Sequence, residues 1–392
     1  MGMMSLASPR AYLDYNATAP LRPQARAAML AALDMVGNPS SVHHEGRAVR
    51  GLMEKARQSV AALVGGQAKH VIFTSGGTES AHLALTPHIH EGQDKAGFDL
   101  LAVSAVEHAC VLKGHRFAEE AVTILPVDGN GLINLGALER WLQGLGQARP
   151  MLALQYANNE TGVIQPLKAA ADLVHAYGGL VVCDAVQAAG KVPLSFEQSG
   201  ADIFLLSAHK FGGPKGAGAV VLAREGLHIA APALVGGGQE KGARAGTQNV
   251  AAIVGLGAAA DAARAEPALA TDIRDRLIAD ILALAPDAVV LGADAPRLPN
   301  TICCAVPGTH AETLLIQFDL AGVALSSGSA CSSGKVAVSH VLRAMAVPDG
   351  LAGGALRISF GFATAPEDFA LFKAAFADIM KKVNERRGKY AA

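Results

Sequence analysis

Apolar positions along the chain follow two alternating rhythms. Val49, Leu52, Met53, Ala56, Val60 and Leu63 fall three or four residues apart, the spacing of one buried helix face. Ahead of them, Pro23 suits a first helical turn and predicts a helix over 24–36. Short unbroken apolar runs come next: VIFTS from Val71, LLAVS from Leu100, MLALQYA from Met151, GLVVCD from Gly179 and DIFLLS from Asp202. Each ends in polar or glycine residues. Strands covered on both faces read this way, and their alternation with helical patterns predicts an α/β domain around a mostly parallel sheet. The alanine-rich stretch 250–285 predicts one long helix or two, with Ile253, Leu256, Ile273, Leu277 and Leu282 as core positions. After it the pattern changes, and strands near Val289, Thr301, Val323 and Leu356 alternate with helices in a smaller α+β unit. The expected division is a large domain over 17–258 and a small one from 1–16 with 259–392. No internal repeat or proline-rich linker interrupts it.

Composition narrows the class. Half of the 392 residues are apolar, enough for a sizeable core, and 33 basic residues against 34 acidic ones leave no electrostatic footprint for nucleic acid or an anionic membrane. No apolar stretch approaches the roughly 18 residues of a membrane span. The run from Val250 to Ala260 comes nearest, and Asp261 ends it. The opening MGMMSLASPR predicts no secretory signal. Five scattered cysteines argue against a disulfide framework and for a reducing compartment, so a cytoplasmic enzyme is expected.

Ligands of open α/β sheets sit beyond the carboxyl ends of the strands. Three segments there carry chemistry. SGGTES, Ser75 to Ser80, follows the first strand; its glycines let backbone amides approach an anion at a helix start, although a plain strand-to-helix turn reads the same way. Asp184 ends GLVVCD, where a carboxylate can face a pyridinium nitrogen or simply cap a helix. Lys210, in SAHK, can form an imine with an aldehyde cofactor, contact a phosphate, or lie on the surface. Together, and in this order, they are the three anchors of pyridoxal 5'-phosphate. The order resembles the fold-type I enzymes that use that cofactor.

The resemblance narrows further. YLDYNATAP at Tyr12, NPSSVHHEG at Asn38, FTSGGTES at Phe73, EHAC at Glu107, NNETG at Asn158, DAVQAAGKVP at Asp184, SAHKFGGPKGAG at Ser207, GGGQEKGARAGTQN at Gly236, SSGSACSSG at Ser326 and RISFG at Arg357 resemble, in order, the motif series of cysteine desulfurases. The resemblance spans nearly the whole chain and implies a large domain with a seven-stranded, mostly parallel sheet plus a small α+β domain. It implies that Lys210 holds pyridoxal 5'-phosphate as an imine, Asp184 pairs with the pyridine nitrogen, His108 stacks on the ring and relays protons, and Gln187 bonds the phenolic oxygen. Thr78, Ser207 and His209, with the Gly76-Gly77 backbone, would hold the phosphate. Thr247 would reach the phosphate of a neighbouring subunit, which implies a homodimer. Asn159 and Arg357 would bind the substrate carboxylate, a task suited to a guanidinium's planar fork.

Cys331 is the residue that would make the enzyme a desulfurase. It lies among serines and glycines in SSGSACSSG, a setting for an accessible loop thiol, whereas Cys183, Cys303 and Cys304 sit in apolar runs and Cys110 follows His108. The resemblance implies that Lys210 removes the α-proton of L-cysteine, the Cys331 thiolate takes the sulfur as a persulfide, and alanine leaves. The sulfur would then pass to an acceptor protein such as an iron–sulfur scaffold, and Cys331 could contact an iron–sulfur cluster in transfer complexes. No resident metal is expected: His43-His44 and His88-x-His90 lack further ligands nearby. The basic KKVNERRGK end reads as a solvated helix end or a docking surface. The family usually carries two asparagines after TES, and here Ala81 and His82 stand instead. Rival readings are another pyridoxal phosphate-dependent lyase or aminotransferase, or a catalytically silent binding subunit.

Overall fold

In a computed structural model the chain is described at residues 10–267, 269–327 and 338–390. It separates into two compact units. The larger takes Thr18–Asn159 and Val163–Ala268; the smaller takes Glu160–Gly162 and the described residues within Met1–Ala17 and Leu269–Ala392.

The larger unit is built on a seven-stranded sheet. Its spatial order is Val71–Thr74, Gly218–Leu222, Ile203–Ser207, Leu180–Asp184, Pro150–Ala153, Leu100–Ser104 and Val122–Leu125. Five of these match the apolar runs of the sequence. Gly218–Leu222 runs antiparallel to both of its neighbours, and the remaining pairs are parallel. Alternate residues of each strand enter two separate cores. Val181, Cys183, Phe204 and Leu206 pack on one face, and Leu180, Val182, Ile203 and Leu205 on the other. Burial on both faces is why these strands are continuously apolar.

The helices His44–Leu63 and Val250–Ala265 pack closely on one face of this sheet. A Cβ on Gly257 would lie 2.5 Å from Ala56 Cα, so only a glycine permits that approach. Arg22, itself buried, holds the far end of the second helix through Glu266, with Nη2 2.8 Å from Oε2. These contacts correct the expected boundary at 258. It would cut through a helix that stays with the larger unit to its end, so the division falls at 268. The expected helix over 24–36 is also shorter, Pro23–Leu33, because Asp34 closes its last turn.

The smaller unit has an antiparallel sheet in the order Val289–Val290, Thr301–Ala305, Ala355–Ser359 and Ser326–Ser327, and a two-stranded parallel pair, Ala11–Tyr12 with Val323–Ala324. Its core joins Leu13, Ile302, Leu356 and Ile358 to Phe318, Phe372 and Phe376 from the helices Ala311–Leu320 and Pro366–Tyr390. Among the described residues no helix is long and apolar enough to cross a membrane.

Candidate active site

The larger unit gathers most of the candidate residues at the carboxyl ends of its strands. Thr74 ends the first strand, and the chain turns through Gly76 (φ +155°) into the helix Gly77–Ala84. The first amides of such a helix have no intrahelical acceptor and face outward. A Cβ on Gly77 would lie 3.5 Å from Ser207 Cβ, and one on Gly76 would lie 3.9 Å from Ser207 Oγ. Gly218, between Thr74 and Ser207 in the sheet, has no room for a side chain: a Cβ there would meet the Leu206 carbonyl oxygen at 2.6 Å and Gly76 Cα at 2.7 Å. Gly76, Gly77 and Ser207 therefore form one backbone-lined cradle, with the Thr78 side chain exposed on the same helix start.

Asp184 ends the central strand. Its Oδ1 accepts from the Val186 amide at 2.9 Å. Burial raises its carboxyl; that amide, then the charges of His108 and Lys210, favour ionisation. A carboxylate so placed is matched by a cationic N–H partner from a ligand. Lys210 closes the short 3-10 turn Ala208–Lys210 that follows the neighbouring strand, so chain direction alone brings it next to Asp184. His108 caps the helix Ala109–Leu112: its Nδ1 accepts from the Cys110 amide at 3.1 Å. A neutral imidazole in that position carries its proton on Nε2. Cys110 Sγ lies 3.0 Å from the same Nδ1, and burial, then the charge of Asp184, pushes that thiol well up. Cys110 is thus half-buried beside His108 as well as against the core.

Gln187 is buried, and its Oε1 accepts from Lys191 Nζ at 2.7 Å. His209 Nδ1 lies 3.1 Å from Thr18 Oγ1, and burial, then Lys210 and Lys215, bring its ring down to about 4, so it acts as a neutral group. Thr247 is exposed on the segment that follows the 3-10 turn Gln239–Gly242. The turn and the segment are each tied down: Arg57 Nη1 meets Glu240 Oε2 of the turn at 2.7 Å, and Arg244 Nε of the segment meets Glu79 Oε1 at 2.9 Å, next to Thr78. Asn159 is half-buried, directly after Asn158, whose amide donates to the Val106 carbonyl at 3.0 Å. Arg357 belongs to the smaller unit, where Nη2 donates to Asp14 Oδ1 at 2.7 Å. Cys331 lies outside the described residues.

The structure adds a residue that the sequence reading quoted without a role. Glu107, fully buried, accepts from the Gln155 amide at 2.6 Å and is pushed well up by burial and by Asp184. Its position directly before His108 was the available signal. The Ala81-His82 departure also finds its reason: Ala81 is buried in the core beneath the cradle, and His82 Nδ1 meets the Gly114 carbonyl oxygen at 2.8 Å. His43 caps the helix His44–Leu63. His90 stands edge-on to His228 across the two-stranded pair Ile89–Glu91 and Leu227–Ile229. Among the described residues no three metal-ligating side chains converge.

The cradle, the strand-end carboxylate and the adjacent lysine fit a phosphorylated pyridine aldehyde. The family model described as aminotransferase class-V matches residues 11–372. A cysteine desulfurase of Cereibacter sphaeroides is 43% identical over 357 residues, 89% of this chain and 90% of its own. The cysteine desulfurase IscS of Dictyoglomus turgidum is 39% identical over 383 residues, covering 96% and 94%. Among solved structures, a NifS-like protein from Rickettsia africae superposes with a TM-score of 0.83 at 30% identity, over 95% of this chain and 100% of that one.

Proposed function

The chain belongs to the aminotransferase class-V family, among its cysteine desulfurases, and from that premise we propose how its residues release sulfur from L-cysteine. The family's pyridoxal 5'-phosphate supplies an aldehyde for covalent attachment and a ring that stores electrons. Lys210 would hold the aldehyde carbon, Asp184 the ring nitrogen, and Gln187 the phenolic oxygen. Gly76, Gly77, Thr78, Ser207 and His209 would hold the phosphate. The observation that carries this assignment is the convergence of Asp184, Lys210 and His108 beside the Gly76–Gly77–Ser207 cradle within one unit.

The remaining residues divide the work on the substrate. Arg357 and Asn159 would hold its carboxylate. Lys210 would accept the α-proton of the substrate at Nζ; its flexible stem suits that transfer. His108, with Nδ1 occupied by the Cys110 amide, has Nε2 to hold or pass a proton. Cys331 supplies the thiolate: an S–S bond forms to the substrate sulfur as the C–S bond breaks. The carbon takes up a proton and leaves as the methyl group of alanine, and a persulfide stays on Cys331. The four described cysteines are poor rivals for this role. Burial holds Cys183 and Cys303 well above the ordinary thiol range and Cys304 at about 12, and Cys110 is raised likewise.

The persulfide would pass to an acceptor protein, with iron–sulfur cluster assembly as the destination that the motif series implies. A homodimer in which Thr247 reaches the partner's phosphate completes the proposal, and the scattered free cysteines fit action in the cytoplasm. Replacing Cys331 with serine tests the central step. Alanine formation from L-cysteine is expected to fall at least a hundredfold while cofactor absorbance is retained. An unchanged rate of alanine formation overturns the assignment.

A further inference from the structure

We propose that Glu79 is a positioning residue that joins the phosphate cradle of one subunit to the segment carrying Thr247, so that filling one cofactor site favours filling the other; the inference rests on Thr247 reaching the phosphate of a second copy of this chain. The Glu79 carboxylate has one oxygen on each side of this junction. Oε2 accepts from the Ser75 amide at 2.8 Å, where the cradle begins. Oε1 accepts from Arg244 Nε at 2.9 Å, on the segment that leads to Thr247. The side chains of the ion pair are 22% and 16% exposed, so water and salt screen it less than a surface pair. Burial opposes the charge on Glu79, but Arg244 and the Ser75 amide outweigh it and hold the carboxyl below its ordinary range.

Each side of the junction has a local cause. Gly76 opens the helix Gly77–Ala84 but has no side chain with which to cap it. Glu79 reaches back from the first turn to the Ser75 amide, much as the acidic residue of a capping box does. Thr74 Oγ1 meets the Gly76 carbonyl oxygen at 3.2 Å and Ser80 Oγ at 2.7 Å, so side chains before and after the glycines fix their course. On the other side, Arg244 Nη1 donates to the Ala245 carbonyl at 3.2 Å. The guanidinium that meets Glu79 therefore also grips the backbone leading to Thr247. Two further bonds hold that backbone to its own stretch of chain: the Ala245 amide donates to the Leu234 carbonyl at 3.2 Å, and the Gly246 amide to Gln239 Oε1 at 3.1 Å. Gly246, with φ +97°, supplies the turn, and Thr247 stands exposed beyond it.

These bonds form one continuous path from the Ser75 amide through Glu79 and Arg244 to the Ala245 carbonyl, with Thr247 following on the chain. With a phosphate on the Gly76–Gly77 amides, the loop from Ser75 to Thr78 is fixed, and Glu79 and Arg244 are fixed with it. Thr247 is then already placed for the neighbouring subunit's phosphate, and less ordering opposes the second binding step. The effect is reciprocal between the two copies and worth on the order of tenfold in affinity. A Glu79 that merely secured the helix start would act on both sites alike and leave them independent.

The test is equilibrium dialysis of the loaded enzyme against graded concentrations of free pyridoxal 5'-phosphate, with bound cofactor read by absorbance and subunit association by sedimentation. The wild type should bind with a Hill slope of about 1.5, the value for two sites coupled about tenfold. Glu79→Gln has a single acceptor oxygen and cannot serve both the Ser75 amide and Arg244. Its slope should fall to about 1, in a dimer with native far-ultraviolet circular dichroism. Arg244→Gln should do the same, and the double variant should go no lower. The slope is the readout rather than the midpoint, because removing the Glu79 charge also changes the field at the phosphate. Thr247→Val tests the underlying reading and should weaken binding. If it leaves the binding curve unchanged, or if the wild type sediments as a monomer, that reading fails and takes the inference with it. If Thr247→Val weakens binding while the wild-type slope is already 1, only the inference falls. The same holds if Glu79→Gln keeps the wild-type slope, whatever Arg244→Gln does.

Discussion

At the scale of single residues, the site is set by which carboxyls keep their charge. Burial raises both Asp184 and Glu107, and Asp184 raises Glu107 further. Asp184 has the Val186 amide and the charges of His108 and Lys210 in its favour, whereas Glu107 has the Gln155 amide alone to lower it. Asp184 is thus the carboxylate and Glu107 the neutral acid behind it. A carboxyl whose folded pKa is raised binds more protons in the folded state than in the unfolded one. Its contribution is complete below the unfolded value, near 4.3, and stability declines as pH rises from there toward the folded pKa. Glu107→Gln keeps an oxygen for the Gln155 amide and cannot ionise. Its melting temperature relative to the wild type should therefore rise steadily between pH 5 and pH 8. Thermal unfolding across that range checks this, and a constant difference would show that Glu107 is ionised in the native protein.

Elements position the site through one crowded crossing. The strand Gly218–Leu222 enters the sheet between Val71–Thr74 and Ile203–Ser207, and Gly218 lies against Gly76 where the cradle begins. Gly218→Ala would put a methyl group inside contact distance of backbone on both sides, and backbone cannot swing aside as a side-chain tip can. The strain is expected to displace Gly76 and Gly77. Affinity for pyridoxal 5'-phosphate should fall at least tenfold, read by absorbance titration, while far-ultraviolet circular dichroism stays native. Wild-type affinity would mean that the cradle does not depend on this approach. The sequence disclosed the parallel strands because burial on both faces makes them unbroken apolar runs. It hid Gly218–Leu222, which is embedded in a glycine-rich segment, and Val122–Leu125, an edge strand with Ile124 half exposed. The positions of Asp184, Lys210 and SGGTES were legible because each ends or follows a readable strand. Glu107 was not given a role, because a buried acid in a polar motif looks like any acid until its neighbours are known.

For the whole molecule, the division into two units matters more than its exact boundary residue. The larger has its own pair of cores on the two faces of the seven-stranded sheet, and the smaller has a separate core. The sequence shows a change of pattern but not the end of Val250–Ala265, since an alanine-rich helix presents little contrast between buried and exposed faces. The insertion of Glu160–Gly162 into the smaller unit left no sequence signal, because three residues carry no periodicity. Separate cores make a separable prediction. Phe376 is 1% exposed and stacks on Phe318 and Phe372, with ring centroids 6.2 and 5.7 Å away. Phe376→Ala should destabilise the smaller unit by about 3–5 kcal/mol, the usual cost of emptying a buried aromatic site. The residues assigned to the cofactor all belong to the larger unit. Protease cleavage should therefore speed up within the described residues of the smaller unit while cofactor absorbance persists, and desulfuration should fall because Arg357 belongs to the weakened unit. Parallel loss of absorbance and protease resistance would mean that the two cores unfold as one.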